Sequence, residues 1–354
     1  MILDGKNILV TGGTGSLGQT LVRRLLRGDL GQPEKIVVFS RDEAKQHDMR
    51  VAYRNRTVAG EDIIYHNFDN AVEFRIGDVR NYPAISSAMR DADLVFNTAA
   101  LKQVPSSEYF PFEAVQTNIL GAENIVRAVR EAHRPPEIVV GISTDKACQP
   151  VNVMGMTKAL QERILLTGGL TCPATRFVCV RYGNVLASRG SVIPLFLGQI
   201  KAGGPVTVTT REMTRFLLTL DDAVDLIFAA ITEARSGETY VPRVQSARVI
   251  DIATVLVEQH DTCIVITGIR PGEKVHEVLI SEEEIYRTFL RGKHYVVRNI
   301  LPELAMDSAN LPPARDTPFS SGDDIMSIGA LRHYLGGNGL LMHHTADETE
   351  ELLR

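Results

Sequence analysis

Three glycines near the start of the chain have the spacing of a phosphate-binding turn. Their G-x-x-G-x-x-G pattern lies directly between the apolar residues 7–10 and a helical pattern over residues 19–27. Glycines at such a junction allow a tight turn, close approach of a pyrophosphate and close packing of the helix on the sheet. The N–H groups at the helix start favour the phosphate charge. The residues of this turn that we expect to contact a dinucleotide are Gly12, Thr14, Gly15, Ser16, Leu17 and Gly18.

The end of the second predicted strand bears on which dinucleotide binds. An acidic residue there would accept hydrogen bonds from the adenosine ribose and indicate NAD. This chain has Ser40 and Arg41 instead, with Lys45 one helical turn further on. Because a guanidinium pairs well with a 2′-phosphate, the pattern favours NADP. NAD stays open, with Arg41 as a surface charge and Asp42 at the ribose.

Two further strand ends complete the predicted cofactor site. Asp78 and Val79 follow the third predicted strand, where the Asp78 carboxylate can accept from the exocyclic amine of an adenine. Ala99 and Ala100 close the fourth strand with small side chains, which let a dinucleotide pass close to the backbone.

Side chains able to transfer protons follow the fifth predicted strand. Thr144, Asp145 and Lys146 lie there, at the carboxyl ends of the strands, where open α/β sheets place their ligands. Met154 and Lys158 stand four residues apart in a helical pattern, so both lie on one helix face. An exposed Asp–Lys ion pair in a loop is the alternative reading of the first group.

The elements that position these residues alternate regularly. We expect strands over residues 7–10, 36–39, 73–76, 94–97, 138–142 and 177–181, and helices over residues 19–27, 82–89, 111–132 and 152–166. Such alternation predicts an α/β fold, a doubly wound Rossmann parallel sheet with right-handed crossovers. The predicted divisions are a cofactor domain over 1–182 plus about 216–245, a smaller interleaved C-terminal substrate-binding domain over 183–215 and 246–335, and a polar tail over 336–354.

Composition excludes several classes of protein. The 354 residues carry a formal charge of −5, which argues against a protein that mainly grips nucleic acid. No stretch approaches the ~20 apolar residues that a bilayer span needs, and the first residues do not resemble a secretory signal. The four cysteines are scattered without a C-x-x-C pair, so we expect no metal site and a cytoplasmic location.

Several short motifs together resemble a known enzyme family. Residues 11–18 (TGGTGSLG), 97–100 (NTAA) and Lys158 are similar to the extended short-chain dehydrogenase/reductases. A closer resemblance comes from residues 101–105 (LKQVP), 143–147 (STDKA), 181–185 (RYGNV), 188–192 (SRGSV), 213–216 (MTRF) and 270–274 (RPGEK). These resemble the small UDP-N-acetylglucosamine 4,6-dehydratases of bacterial polysaccharide and flagellin-glycan biosynthesis. The resemblance spans roughly residues 5–290 and implies a UDP-sugar substrate and a homo-oligomer, a dimer or a hexamer.

One position departs from the superfamily pattern. The usual active pair is Tyr-x-x-x-Lys, and Met154 stands here in the place of the tyrosine. Lys158 can still hold the nicotinamide ribose, but a thioether cannot carry a proton. A degenerate enzyme is one reading. Some members of the dehydratase group tolerate the same substitution, which favours transfer of the proton role to another group.

The resemblance implies internal oxidation and reduction of the sugar. We assign Lys146 as the base at C5 and Asp145 as the acid at the C6 oxygen. Thr144 is assigned as the group that receives the O4 proton and relays it to Lys146, Lys158 or water. Free lysine is protonated and free aspartate ionised at pH 7, so both side chains need shifted pKa values. We expect a desolvated pocket to raise the pKa of Asp145 and to lower that of Lys146.

The same resemblance implies the remaining contacts. Tyr182 and Lys102 join the cofactor set. The expected substrate contacts are Lys102, Asn184, Arg189, Ser191, Thr209, Arg215, Arg270 and Glu273. The leading hypothesis is a UDP-N-acetylglucosamine 4,6-dehydratase that inverts C5. A nucleotide-sugar 4-epimerase and a non-catalytic NADP-binding protein remain alternatives.

Overall fold

The computed structural model describes residues 1–55, 71–186, 191–305 and 311–341. In chain order its strands are β1 (Asn7–Thr11), β2 (Lys35–Ser40), β3 (Val72–Ile76), β4 (Leu94–Asn97), β5 (Ile138–Thr144), β6 (Arg176–Tyr182), β7 (Asn184–Val185), β8 (Val206–Val208), β9 (Thr214–Leu218), β10 (Thr239–Pro242), β11 (Ser246–Arg248), β12 (Ile264–Ile266), β13 (Val278–Ile280), β14 (Thr288–Arg291), β15 (His294–Val297) and β16 (Phe319–Ser320).

The helices follow the predicted alternation. They are α1 (Ser16–Arg27), α2 (Glu43–Asn55), α3 (Tyr82–Met89), α4 (Val104–Tyr109), α5 (Pro111–Ala114), α6 (Gly121–Glu131), α7 (Val153–Thr171), α8 (Val192–Lys201), α9 (Leu220–Glu233), α10 (Val249–Val257) and α11 (Ile328–Gly337). A π-helical turn, Val115–Leu120, joins α5 to α6. No helix in these described ranges is both long and apolar enough to cross a bilayer.

A nine-stranded sheet organises the chain. Its order is β14-β15-β10-β6-β5-β4-β1-β2-β3, parallel from β10 to β3, while β15 is antiparallel to both of its neighbours. One face is covered by α1 and α9, and the other by α3, α6 and α7. Buried aliphatic side chains point to both faces, as expected for strands covered on both sides. The predicted α/β fold with a parallel sheet is confirmed.

Smaller sheets lie beyond the carboxyl edge of the large one. They pair β11 with β9 and β9 with β7, β12 with β8, and β13 with β16. A separate apolar cluster joins α8, α10 and α11 there. The division into two domains stays a prediction, but two of its parts need correction. Residues 288–297, assigned to the substrate-binding domain, form β14 and β15 of the large sheet, because their backbone extends its edge beyond β10.

The second correction concerns the predicted polar tail. Helix α11 continues to Gly337, and Leu340 is buried in the same apolar cluster as Leu331 and Leu335. The tail prediction for residues 342–354 falls outside the described residues.

A buried ion cluster connects the two halves of the chain. Arg181 of β6 is 4% exposed and donates to both carboxylate oxygens of Glu162 on α7 and of Glu284, at 2.7–3.1 Å. Arg287 donates to Glu284 as well, at 3.0 Å. Glu284 and Arg287 belong to a 3-10 helix in the second half of the chain, Glu282–Arg287. Buried charges of this kind are stable only when they are paired.

Candidate active site

The glycine turn after β1 is packed too closely for any other residue at two of its positions. Gly12 has a φ of +66°, and an added Cβ would lie 2.8 Å from the backbone N and Cα of Ala99. An added Cβ on Gly18 would lie 2.7 Å from the carbonyl oxygen of Gly12. Gly15 precedes α1 with an extended backbone. The first N–H groups of α1 have no acceptor within the helix, so they are available to an anion.

The ends of β1 and β4 are fastened to each other beside this turn. The Thr11 hydroxyl donates to Asn97 Oδ1 at 2.9 Å, and the Thr98 hydroxyl donates to the Thr11 carbonyl at 2.6 Å. Ala99 therefore lies against Gly12, and Ala100 is exposed one residue further on. Within the turn, Thr14 is buried and its carbonyl accepts from Gln19 at 3.0 Å. Ser16 and Leu17 begin α1.

The strand ends predicted to face the adenosine also meet. Arg41 is 57% exposed, and its guanidinium lies 3.5 Å from Asp78 Oδ2. Arg80 donates to the same carboxylate at 2.8 Å. Burial raises the pKa of Asp78, but these two cations outweigh it and hold the pKa below its usual value. Lys45 Nζ lies 2.7 Å from Asp42 Oδ2.

Two residues of the predicted cofactor set are turned toward protein. The Ser40 hydroxyl is buried and accepts from Gln46 at 3.0 Å. Val79 is 5% exposed and packs on Gly121 in the core. Their contacts with a cofactor stay predictions.

Helix α7 presents Met154 and Lys158 from one face, as predicted. It begins after Asn152, whose side chain accepts from Gly155 N at 2.8 Å. Met154 and Lys158 are buried, at 4% and 6% exposure. The Lys158 ammonium donates to the Ile142 carbonyl at 2.5 Å and to Gln161 Oε1 at 2.7 Å. Two of its three N–H donors are therefore used. Burial lowers the pKa of Lys158 to about 8.

Thr144, Asp145 and Lys146 form one hydrogen-bonded group at the end of β5. Asp145 Oδ1 accepts from the Thr144 hydroxyl at 2.9 Å and from Lys146 Nζ at 3.0 Å. Asp145 is completely buried, and its other oxygen has no protein partner. The start of α7 lies directly against this group, since a Cβ on Gly155 would overlap the Lys146 carbonyl.

The structure adds Glu277, which the sequence reasoning missed. Its carboxylate is 2% exposed, and Oε1 lies 3.2 Å from Lys146 Nζ. Arg215 Nε approaches the same oxygen at 3.9 Å. Glu277 lies three residues after Lys274, the last residue of the 270–274 motif. That proximity to a motif was the one available signal, because nothing in the local pattern indicates a buried acid.

Burial and charge shift the pKa values of this group in ways that only partly match the expectation. Burial, reinforced by the charge of Glu277, raises the pKa of Asp145, as predicted. The expected lowering for Lys146 is wrong. Burial does act in that direction, but the carboxylates of Asp145 and Glu277 outweigh it, and the net pKa of Lys146 is raised. The ammonium therefore sits between two acids in the resting protein.

Several buried polar side-chain atoms have no protein partner in the part of the chain that the structure describes. Among the described residues they include Ser143 Oγ, Asp145 Oδ2, Asn184 Oδ1, Ser191 Oγ, Thr210 Oγ1, Glu273 Oε2 and Glu277 Oε2. Buried polar atoms normally have a partner, so such a set indicates a polar ligand or ordered water. Three of them, on Asn184, Ser191 and Glu273, belong to the predicted substrate set.

The cationic members of that set differ in environment. Arg215 is buried and donates to the carbonyls of Thr214 and Val275, at 2.7 and 3.2 Å. Arg270 and Lys102 are exposed. Arg189 lies outside the described residues.

Thr209 of the predicted substrate set and Tyr182 of the predicted cofactor set already have partners within the fold. Thr209 is largely buried, and its carbonyl accepts from Gly268 at 3.0 Å. Tyr182 pairs with Thr144 across β5 and β6, and burial raises the pKa of its phenol. Their predicted contacts with substrate and cofactor are not visible in the protein alone and stay predictions.

Comparison with known proteins gives matches over most of the chain. Residues 8–299 match the family described as polysaccharide biosynthesis protein. A protein of Rickettsia bellii named UDP-glucose 4-epimerase is 40% identical over 358 aligned residues, covering 100% of this chain and 96% of its own length. A Rickettsia akari protein of the same name is 43% identical, covering 83% of each chain.

Solved structures share the architecture. Pen from Bacillus thuringiensis is 33% identical with a TM-score of 0.85, over 96% of this chain and 100% of its own. DesIV of Streptomyces venezuelae, a dTDP-glucose 4,6-dehydratase solved with NAD and TYD, is 19% identical with a TM-score of 0.63, over 76% of this chain and 86% of its own. At that identity DesIV supports the fold alone.

Proposed function

The chain belongs to the polysaccharide biosynthesis protein family, among the nucleotide-sugar epimerases and dehydratases, and on that premise we propose that it is a UDP-N-acetylglucosamine 4,6-dehydratase. The observation that carries the proposal is the buried pair of Asp145 and Lys146, whose free carboxylate oxygen has no protein partner. A 4-epimerase needs the ketone step at C4 but has no use for an acid–base pair at C5 and C6.

NADP is the cofactor that the loop residues fit best. Gly12, Gly15 and Gly18 leave room for a pyrophosphate, and Arg41 offers an exposed guanidinium where a 2′-phosphate would lie. NAD, with which DesIV was solved, stays the weaker alternative. The chemistry that bound NADP supplies is removal of hydride from sugar C4 and its later return to C6 in the same turnover.

The protons in this cycle are carried by the chain. The Thr144 hydroxyl receives the O4 proton as the C4 carbonyl forms and passes its own proton on to Lys158 or water, because Lys146 must stay neutral for the next step. Lys146 in its neutral form removes the C5 proton, which is acidic beside the ketone, and Asp145 protonates the C6 hydroxyl, which leaves as water. The C5 position is then reprotonated as hydride reaches C6. Because the hydride taken from C4 returns to C6, no net oxidation occurs, and the O4 proton replaces the one that Asp145 gives to the departing water.

The product gives the direct test of the proposal. Incubation with UDP-N-acetylglucosamine should yield a product lighter by one water, with a C6 methyl doublet in its proton NMR spectrum. An unchanged mass would favour the 4-epimerase, the name its Rickettsia relatives carry. Cofactor binding without turnover of any UDP-sugar would indicate the non-catalytic alternative.

The hydroxyl of Thr144 can be tested separately. Because Met154 cannot accept a proton, Thr144→Val should lower turnover by about 10²-fold or more. Thr144→Ser keeps the hydroxyl and should stay within a few-fold of the native rate. Steady-state turnover of both variants decides the matter, and full activity in Thr144→Val would remove the assignment.

The guanidinium of Arg41 can be tested by cofactor affinity. Loss of a charge-assisted contact worth about 1.5–3 kcal/mol should weaken NADP binding roughly 10–100-fold in Arg41→Ala. NAD, which lacks the 2′-phosphate, serves as the internal control and should bind about as before. Equal weakening of both cofactors, measured by calorimetry, would contradict the preference for NADP.

The remaining parts of the proposal concern the substrate contacts, the stereochemistry at C5, the oligomeric state and the location of the protein. Arg189, Arg215 and Arg270 would meet the diphosphate, and Glu273 the uridine ribose. Inversion at C5, a homo-oligomer and a cytoplasmic location stay predictions.

A further inference from the structure

Two hydrogen bonds to Ser321 hold the backbone of Glu277 in place. Its N–H donates to the Ser321 hydroxyl at 2.9 Å, and its carbonyl accepts from Ser321 N at 2.8 Å. The side chain is therefore fixed just before β13, facing the end of β5. One carboxylate oxygen lies 3.2 Å from Lys146 Nζ, and the other has no protein partner.

Charged groups face this carboxylate from three segments. Lys146, with Asp145 on its other side, follows β5, and Arg215 comes from β9. Lys274 comes from the loop that carries Glu277 and donates to the Cys148 carbonyl at 2.8 Å. Burial raises the pKa of Glu277, but these three cations outweigh it and the net pKa is lowered. Glu277 therefore remains ionised.

We propose that Glu277 is the positioning residue that keeps both Asp145 and Lys146 protonated at rest. Its fixed negative charge disfavours a second ionised carboxylate at Asp145 and favours the ammonium of Lys146. Asp145 is thus kept as an acid ready to donate. The proposal rests on the proposed function for its catalytic meaning, but the electrostatic arrangement itself exists in the free protein.

Removing the charge of Glu277 should shift the pKa values of Asp145 and Lys146 in a defined direction. In Glu277→Gln, Asp145 loses a like charge and its pKa falls, so the acid becomes ionised at lower pH. Lys146 loses an opposite charge, its pKa falls too, and the base becomes available at lower pH. Activity requires protonated Asp145 and neutral Lys146. Both limbs of the pH–rate profile should therefore shift to lower pH.

The first experiment compares pH profiles of dehydration. We expect both limbs of Glu277→Gln to shift by roughly one pH unit or more, the size of effect that a nearby charge produces. Glu284→Gln is the matched control, because it also removes a buried, paired carboxylate but lies with Arg181 and Arg287. It should lose stability and keep its limbs in place. Unmoved limbs in Glu277→Gln, or an equal shift in both variants, would overturn the proposal.

A second experiment does not depend on turnover. NMR titration of the free protein labelled with [4-¹³C]aspartate follows the Asp145 carboxyl, whose signal Asp145→Asn identifies by its loss. In Glu277→Gln that signal should titrate at least roughly one unit lower than in the native chain. An unchanged Asp145 titration refutes the positioning role even if dehydration is confirmed. If Glu277→Gln does not fold, Glu277→Asp, which keeps the charge but withdraws it from Lys146, should give a smaller shift of the same sign.

Discussion

Lys146→Arg is expected to lower the rate of dehydration by about 10²–10⁴-fold, the usual contribution of a general base. Arginine keeps the positive charge between Asp145 and Glu277, so the buried carboxylates stay paired and the fold is preserved. It cannot lose its proton at working pH, so it cannot remove the proton from C5. The substitution therefore separates the role of Lys146 as a base from its role as a charge.

Deuterium from solvent water reports this step directly. The native enzyme should incorporate deuterium at C5 of its product, whereas Lys146→Arg and Lys146→Ala should not. Oxidation at C4 comes first, so absorbance of the bound cofactor near 340 nm should still rise when the UDP-sugar is added. Retained exchange at C5 in either variant would assign the base elsewhere.

Gly12→Ala is expected to destroy the cofactor site and weaken the fold. The positive φ alone costs a non-glycine residue about 1–2 kcal/mol, and the overlap with the Ala99 backbone adds about 1–3 kcal/mol. The free energy of unfolding should fall by about 2–5 kcal/mol in sum. Because the turn must move away from β4 to make room, NADP affinity should fall at least roughly tenfold.

Gly5 offers a matched control for this substitution. Its φ of +67° equals that of Gly12 within a degree, yet an added Cβ meets nothing within 4 Å. Gly5→Ala should therefore show only the conformational cost of about 1–2 kcal/mol in chemical denaturation, with normal cofactor binding. Similar losses of stability and of affinity in the two variants would mean that the contact with Ala99 is unimportant.

Local patterns predicted the strands β1 to β6 and most of the helices between them, but not α2 or α4. The helix over residues 82–89 and the strand over residues 94–97 coincide with α3 and β4, because each is a single amphipathic or fully buried unit. Neighbouring strand ends of a parallel sheet meet at one edge, so the Thr144, Asp145 and Lys146 group could be foreseen.

Local sequence patterns could not predict contacts between residues that are far apart in the chain. Glu277 reaches Lys146 across more than a hundred residues, and together with Asp145 it reverses the expected pKa shift of that lysine. The same applies to β14 and β15, whose partners are set by the edge of the large sheet rather than by their own sequence. Sequence periodicity indicates which face of a helix or strand is buried. It does not indicate which charged group from elsewhere in the chain lies against that face.

Two features described above bear on how the protein unfolds. Arg181 forms buried ion pairs with Glu162 and Glu284, and strands β14 and β15 return to the large sheet. A chain truncated after residue 245 would retain every predicted cofactor residue and still lack Glu284 and strands β14 and β15 of the large sheet. It would leave the Arg181 guanidinium with one buried carboxylate in place of two, and an uncovered edge on β10. We therefore expect the half that carries the predicted cofactor residues not to fold alone, and the whole chain to melt in a single cooperative transition.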